Sequence, residues 1–206
     1  MTIFRVKRPM TWGELDLPLF GLEADWHRQR VAPPATWSLA LDPERLWFVA
    51  GHGAPARVHP KARPGRFLEG LWEHDVAELF LADPADGAYL ELNLAPNGAW
   101  WSCAFRGPRE RRDPGGTNLP GVETFAELAP DGTWLAAMAI PRDTLRELVG
   151  FGDATRANVT FILGSPAQRF LSAAELGGGE PDFHRPERFR PVSFHDAPLP
   201  GAAPGS

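Results

Sequence analysis

Turn chemistry interrupts this chain about every ten residues, and that spacing constrains its fold more than any other feature. Asp42-Pro43-Glu44-Arg45, Asp83-Pro84-Ala85-Asp86-Gly87, Pro96-Asn97-Gly98 and Pro130-Asp131-Gly132 each separate a pair of short apolar runs. Asn-Gly and Asp-Gly pairs suit the turns that join antiparallel strands, because they accept positive φ. The runs at 36–41, 46–50, 76–81, 89–95, 99–106, 124–128, 133–140 and 158–163 read as strands, and 192–194 as a last one. The only convincing helix lies at 141–148, with Pro141 in its first turn, Leu145 and Leu148 on one face and Gly150 to end it. A parallel α/β sheet needs helical patterns between successive strands, and this sequence lacks them. The expected fold is all-β: one two-sheet antiparallel β-sandwich over residues 1–196 with one short helix, followed by a flexible tail at 197–206.

Composition then removes several function classes. Lys plus Arg total 21 against 26 Asp plus Glu, and the net charge of -5 argues against a nucleic-acid partner, which needs a basic surface. No apolar run approaches the ~20 residues of a membrane span, so no membrane partner is expected. No secretory signal is visible near Met1, which places the chain in the cytoplasm by default and outside it only if a leader has been removed. A single cysteine, Cys103, excludes an internal disulfide and a cysteine-rich zinc site. The histidines His27, His52, His59 and His74 form no metal-ligand pattern such as His-Glu-x-x-His. Eight tryptophans are many for this length, and tryptophan both fills cores and makes platforms for sugars. Oligomeric state is left open by the sequence.

Alternation across the three central strands sorts their side chains onto two faces. Ala77, Leu79 and Leu81 with Leu90, Leu92 and Leu94 read as core, as do Trp101, Cys103 and Phe105. The opposite face then carries Glu78, Glu91, Asn93, Trp100, Ser102 and Arg106. Such a face is either the solvated outside of a sandwich or the polar floor of a ligand site. Carboxylates, an amide and a guanidinium match the vicinal hydroxyls of a sugar, and an aromatic ring covers its C–H face. Trp72, with Glu73 and Asp75 beside it, reads as a wall of that site or as a plug at the end of the sandwich. Asp75, Glu78, Asp83 and Asp86 offer oxygen donors for calcium without the spacing of a known loop. His184, between Phe183 and Phe189, reads first as a structural imidazole and second as a ligand contact. Residues 107–120 read as an exposed loop.

In that order of landmarks the chain resembles the family 9 carbohydrate-binding modules and the wider DOMON-like β-sandwich group. The residues that carry the resemblance are the paired run 38–49 with Asp42 in its turn and Leu46-Trp47 after it, Trp72 with Asp75-Val76-x-Glu78-x-Phe80, Tyr89-x-Glu91 leading to Pro96-Asn97-Gly98, and Phe183-His184-x-Pro186-x-x-Phe189. The resemblance implies a non-catalytic domain that binds a saccharide, requires no cofactor and often holds structural calcium. It puts Trp72 at the first of two aromatic clamp positions, with Asn93 and Arg106 as polar partners. Relatives often carry the second clamp aromatic ahead of Phe183-His184, where this chain has Leu171-Ser172-Ala173-Ala174-Glu175; Trp100 is the candidate substitute. The alternatives are a glycoside-processing enzyme using Glu78 and Glu91, a haem module using Met10 or Met138 as some DOMON relatives do, and a pure interaction domain.

Overall fold

Leu90, Leu92 and Leu94 are fully buried between two sheets, and each such side chain contributes roughly 1.5–3 kcal/mol by leaving water. The structure is a computed structural model and describes residues 1–197. In chain order the strands are β1 (Thr2–Arg5), β2 (Phe20–Ala24), β3 (Arg30–Leu41), β4 (Arg45–His52), β5 (Val76–Ala82), β6 (Tyr89–Leu94), β7 (Trp100–Gly107), β8 (Glu110–Arg111), β9 (Glu123–Leu128), β10 (Trp134–Pro141), β11 (Arg156–Leu163), β12 (Arg169–Ser172), β13 (Arg190–Pro191) and β14 (Ser193–Asp196). Helix α1 (Arg142–Val149) follows β10 and ends at Gly150, whose φ of 56° suits a residue without Cβ. One sheet runs β14-β1-β3-β4-β10-β9 with β2 paired to β3; the other runs β12-β11-β5-β6-β7-β8 with β13 paired to β11. This is the expected all-β sandwich. Among the described strands, β1 departs from antiparallel order, running parallel to both β14 and β3, and Phe67 makes an isolated parallel bridge to Trp100. The tail reading falls, from residue 198 on, outside the described residues; Ala197 donates its backbone N–H to Arg5.

Both sheets are covered on their outer faces as well. Val6, Met10, Trp12, Leu15 and Leu17 pack on Trp47, Val49, Ala137 and Ala139 outside the first sheet. Leu71, Ala174, Leu176, Phe183 and Phe189 pack on Val76, Phe80, Tyr89, Trp101, Cys103 and Phe105 outside the second. Strands buried on two sides lose the clean alternation of a half-solvated sheet.

That burial corrects the reading of β7. Trp100 and Ala104 face the inter-sheet core, with Trp100 edge-on to Phe67 at 5.0 Å, whereas Trp101, Cys103 and Phe105 lie outside. The register pairs Leu94 with Trp100, Leu92 with Ser102 and Glu91 with Cys103. Directly opposed residues share a face, so the three-residue turn Pro96-Asn97-Gly98 aligns even positions with even positions. Gly98 sits at φ 81° there, as the Asn-Gly signal required. Trp100 and Ser102 therefore do not belong to the Glu91 face, and Arg106 is exposed near the end of β7, at a register irregularity.

The turn between β3 and β4 hangs on Asp42. Its buried carboxylate accepts the backbone N–H groups of Glu44 and Arg45 at 2.8 and 2.7 Å, the Trp47 indole N–H at 2.8 Å and the Met10 N–H at 3.0 Å. Asp42→Ala strips four donors of their acceptor, and each buried donor left unpaired costs about 1–3 kcal/mol where water cannot reach it. Urea denaturation is expected to show a loss of about 3 kcal/mol or more.

Candidate functional site

A cleft of about 340 Å³ opens on the outer face of the second sheet. Its floor is Glu78 and Phe80 from β5, Glu91 from β6, and Trp101 and Phe105 from β7. Glu78 pairs with Asn93 across β5 and β6 and Phe80 pairs with Glu91, so the two carboxyls are diagonal neighbours on one face. Walls come from segments laid over that floor. Trp72 stands on the short 3-10 turn Leu71–Glu73, Arg109 and Arg111 come from the β7–β8 hairpin, Phe170 from β12, and Asp182, Phe183 and His184 from the segment before β13.

Thr160 donates its hydroxyl to Glu78 Oε2 at 2.6 Å, and Asn93 donates Nδ2–H to Glu91 Oε1 at 3.0 Å. Burial drives both carboxyls well above the usual carboxylate range, and the charge of Glu91 raises Glu78 further. At neutral pH the pair therefore retains proton density and presents both donor and acceptor to the cleft.

Burial, and then the nearby Arg109 charge, push the His184 imidazole down to about 4, so it is neutral under ordinary conditions. Tyr89 lies 2.7 Å from His184 Nδ1 and accepts the Arg109 backbone N–H at 3.0 Å. The arrangement in which Tyr89 donates to Nδ1 leaves Nε2–H as a donor, 3.8 Å from Glu91. Arg109 pairs with Asp182 at 2.8 Å. Arg111 lies over the rings of Trp72 and Trp101, 5.6 and 5.1 Å from their centroids, and reaches Glu69. Trp72 meets Trp101 edge-on at 5.0 Å and, unlike Trp101, is only partly buried.

Of the residues named from the sequence, Trp72, Glu78, Glu91 and His184 line this cleft. Asn93 is buried beside it and holds Glu91. Asp75 lies elsewhere: its carboxylate accepts the backbone N–H groups of Arg57 and Ser165. Glu73 is exposed beyond the cleft, Trp100 faces the core, and Arg106 points to solvent. The four carboxylates named for calcium do not converge. Asp83 and Asp86 accept N–H groups of their own turn at the far end of β5 from Asp75, on the order of 20 Å away by strand rise. Met138 sits in the inter-sheet core and Met10 on the opposite face of that sheet, so neither borders the cleft.

The sequence reading missed Arg109, Arg111, Asp182, Phe183 and Phe170 as site residues. The stretch 107–120 is not the featureless exposed loop expected, since β8 folds back on β7 and Leu119 is buried. A two-residue strand leaves no periodicity to find. Phe170 was detectable, because it stands one position before the stretch 171–175 where a second aromatic was sought.

The UPF0462 protein C4orf33 homolog of Mus musculus is 31% identical over 143 residues, covering 66% of this chain and 69% of the mouse protein. The chain belongs to the UPF0462 family. The Rattus norvegicus member is 30% identical over 143 residues, 66% of this chain and 67% of its own length. No protein-family model matches the sequence.

Among solved structures, this UPF0462 chain is similar to a proposed carbohydrate-binding protein from Bacteroides uniformis ATCC 8492, with TM-score 0.69, 19% identity and coverage of 94% of this chain and 99% of that one. It is also similar to a family 9 carbohydrate-binding module from Caldicellulosiruptor kristjanssonii. The cellotriose complex gives TM-score 0.63 at 13% identity, covering 100% and 98% of the two chains; the glucose complex gives 0.61 at 14%, covering 96% and 97%. The fold of this UPF0462 member is that of the family 9 modules. No helix among the described residues is long and apolar enough to cross a membrane.

Proposed function

We propose that this UPF0462 chain is a non-catalytic carbohydrate-binding domain whose ligand occupies the cleft over Glu78 and Glu91. One observation carries the reading: aromatic rings and a fixed set of donors and acceptors converge on a single concave site. Trp72 and Phe170 offer faces for the C–H side of a pyranose. Glu78, Glu91, Asp182, Arg109 and the His184 Nε2–H offer hydroxyl partners held by their own neighbours. The volume falls at the lower end of small-ligand pockets, roughly 300–1,000 Å³. The neighbouring fold supports the reading, since one family 9 module carries cellotriose and glucose.

The carboxyl pair also invites a catalytic reading. Glycosidases place two carboxyl groups on either side of the scissile bond, one as acid and the other as base or nucleophile. Here both rise from neighbouring strands of one floor, and each is tied down by a side chain of its own sheet. That placement favours recognition over hydrolysis.

A glycan array followed by calorimetry tests the proposal. A saccharide is expected to bind with unit stoichiometry and to be recovered intact after prolonged incubation. No binding across a broad panel sinks the saccharide reading. Cleavage that disappears in both Glu78→Gln and Glu91→Gln overturns the non-catalytic part.

A further inference from the structure

His59 and His74 lie fifteen positions apart in sequence, yet their rings meet edge-on at 4.8 Å. The contact follows from Asp75, which ties two segments together: its N–H donates to the Arg57 carbonyl at 2.9 Å while its carboxylate accepts the Arg57 N–H at 3.0 Å. This pairing lays residues 57–59 along residues 73–75. Glu73 joins them, and one ligand atom from each of His59, Glu73 and His74 lies within 4.8 Å of the other two. No described hydrogen bond joins the three side chains to one another. The His59 Nδ1 accepts the Lys61 N–H at 3.1 Å, which leaves its Nε2 for another partner. The His74 Nδ1 is buried with no hydrogen-bond partner, an arrangement that costs free energy unless something satisfies it.

We propose that His59, Glu73 and His74 form a binding site for a late first-row divalent cation. Two imidazole nitrogens and one carboxylate match Zn²⁺ best, with a fourth position left for water. The cation would join the segment that follows β4 to the turn that presents Trp72, so the site braces a cleft wall from behind. It is separate from the cleft lining, and the inference does not rest on the saccharide reading.

Calorimetric titration of the metal-stripped chain with ZnCl₂ tests it. One equivalent is expected to bind, with affinity at least about tenfold weaker in His59→Ala and in Glu73→Gln, and unchanged in His195→Ala, a distant exposed histidine. The melting temperature is expected to rise with zinc equally in the wild-type chain and in His195→Ala, and by less in His59→Ala and Glu73→Gln, because a ligand bound only to the native state stabilises it according to its affinity. Co²⁺ gives a check that needs no variant: the strong visible absorption of a four-coordinate site is expected, and the weak spectrum of the hydrated ion counts against the proposal. An isotherm for the wild-type chain indistinguishable from that of the His59→Ala/Glu73→Gln double variant overturns it, whether both bind or neither does.

Discussion

Replacing Trp72 with alanine is expected to weaken saccharide binding by at least about tenfold, about 1.4 kcal/mol, with little change in melting temperature. The indole stands on a three-residue turn at the cleft mouth, partly buried, and its neighbours Trp101 and Arg111 remain held without it. Loss of a ring face removes the surface on which sugar C–H groups pack, and no other wall residue replaces it from that side. Trp101→Ala is the informative contrast. That ring is 1% exposed and packs inside the outer layer, so its truncation is expected to cost about 3–5 kcal/mol of stability. Parallel calorimetry and thermal melts of both variants separate recognition from packing. Unchanged affinity in Trp72→Ala would remove the cleft from consideration as the sugar site.

Glu78→Gln is expected to stabilise the chain, increasingly so as the pH rises. The Glu78 carboxyl is pushed up to about 8 by burial first and then by the charge of Glu91. A carboxyl whose pKa is higher in the folded than in the unfolded state keeps its proton in the fold while the unfolded chain releases it. Folding then loses stability as the pH climbs from the ordinary carboxylate value toward that raised one. His184 acts in the opposite sense over a lower window, from its ordinary value down to about 4, where acidification favours the unfolded chain. Comparing the wild-type chain with the variant at each pH cancels that contribution. Each pKa unit is worth about 1.4 kcal/mol, so at pH 8 the advantage of Glu78→Gln is expected to be on the order of 2–4 kcal/mol. In a domain of this size that corresponds to a melting-temperature gain of roughly 5–15 °C. Melts between pH 5 and 8 check it, and a variant equally destabilised throughout would show that the carboxylate is held as an anion.

The fold could be read from the sequence because its turns use local chemistry: Asn97-Gly98, Asp131-Gly132 and Gly150 act through their own backbone preferences. The strands missed were β1, β2, β8, β12 and β13, all five residues or shorter and so too brief to show a period, and β1 and β13 also depend on partners far away in the chain. At the site, the β5 and β6 faces were legible because Leu90, Leu92 and Leu94 contrast with Glu91 and Asn93. On β7 both faces are largely apolar, and hydropathy gives no sign of which one turns inward. Arg109, Asp182 and His184 meet only through tertiary packing of two loops, which no local pattern encodes. The His59–His74 meeting was hidden for the same reason, since it depends on the Asp75 link to Arg57.

The odd-numbered turn at residues 96–98 has a consequence beyond joining two strands. Deleting or inserting one residue there would act on β7 as a frameshift acts on a message. Every side chain downstream would exchange sides, sending Trp101 and Phe105 into the interior and turning Trp100 outward. Natural variation in this family should therefore change the length of that connection by two residues or not at all.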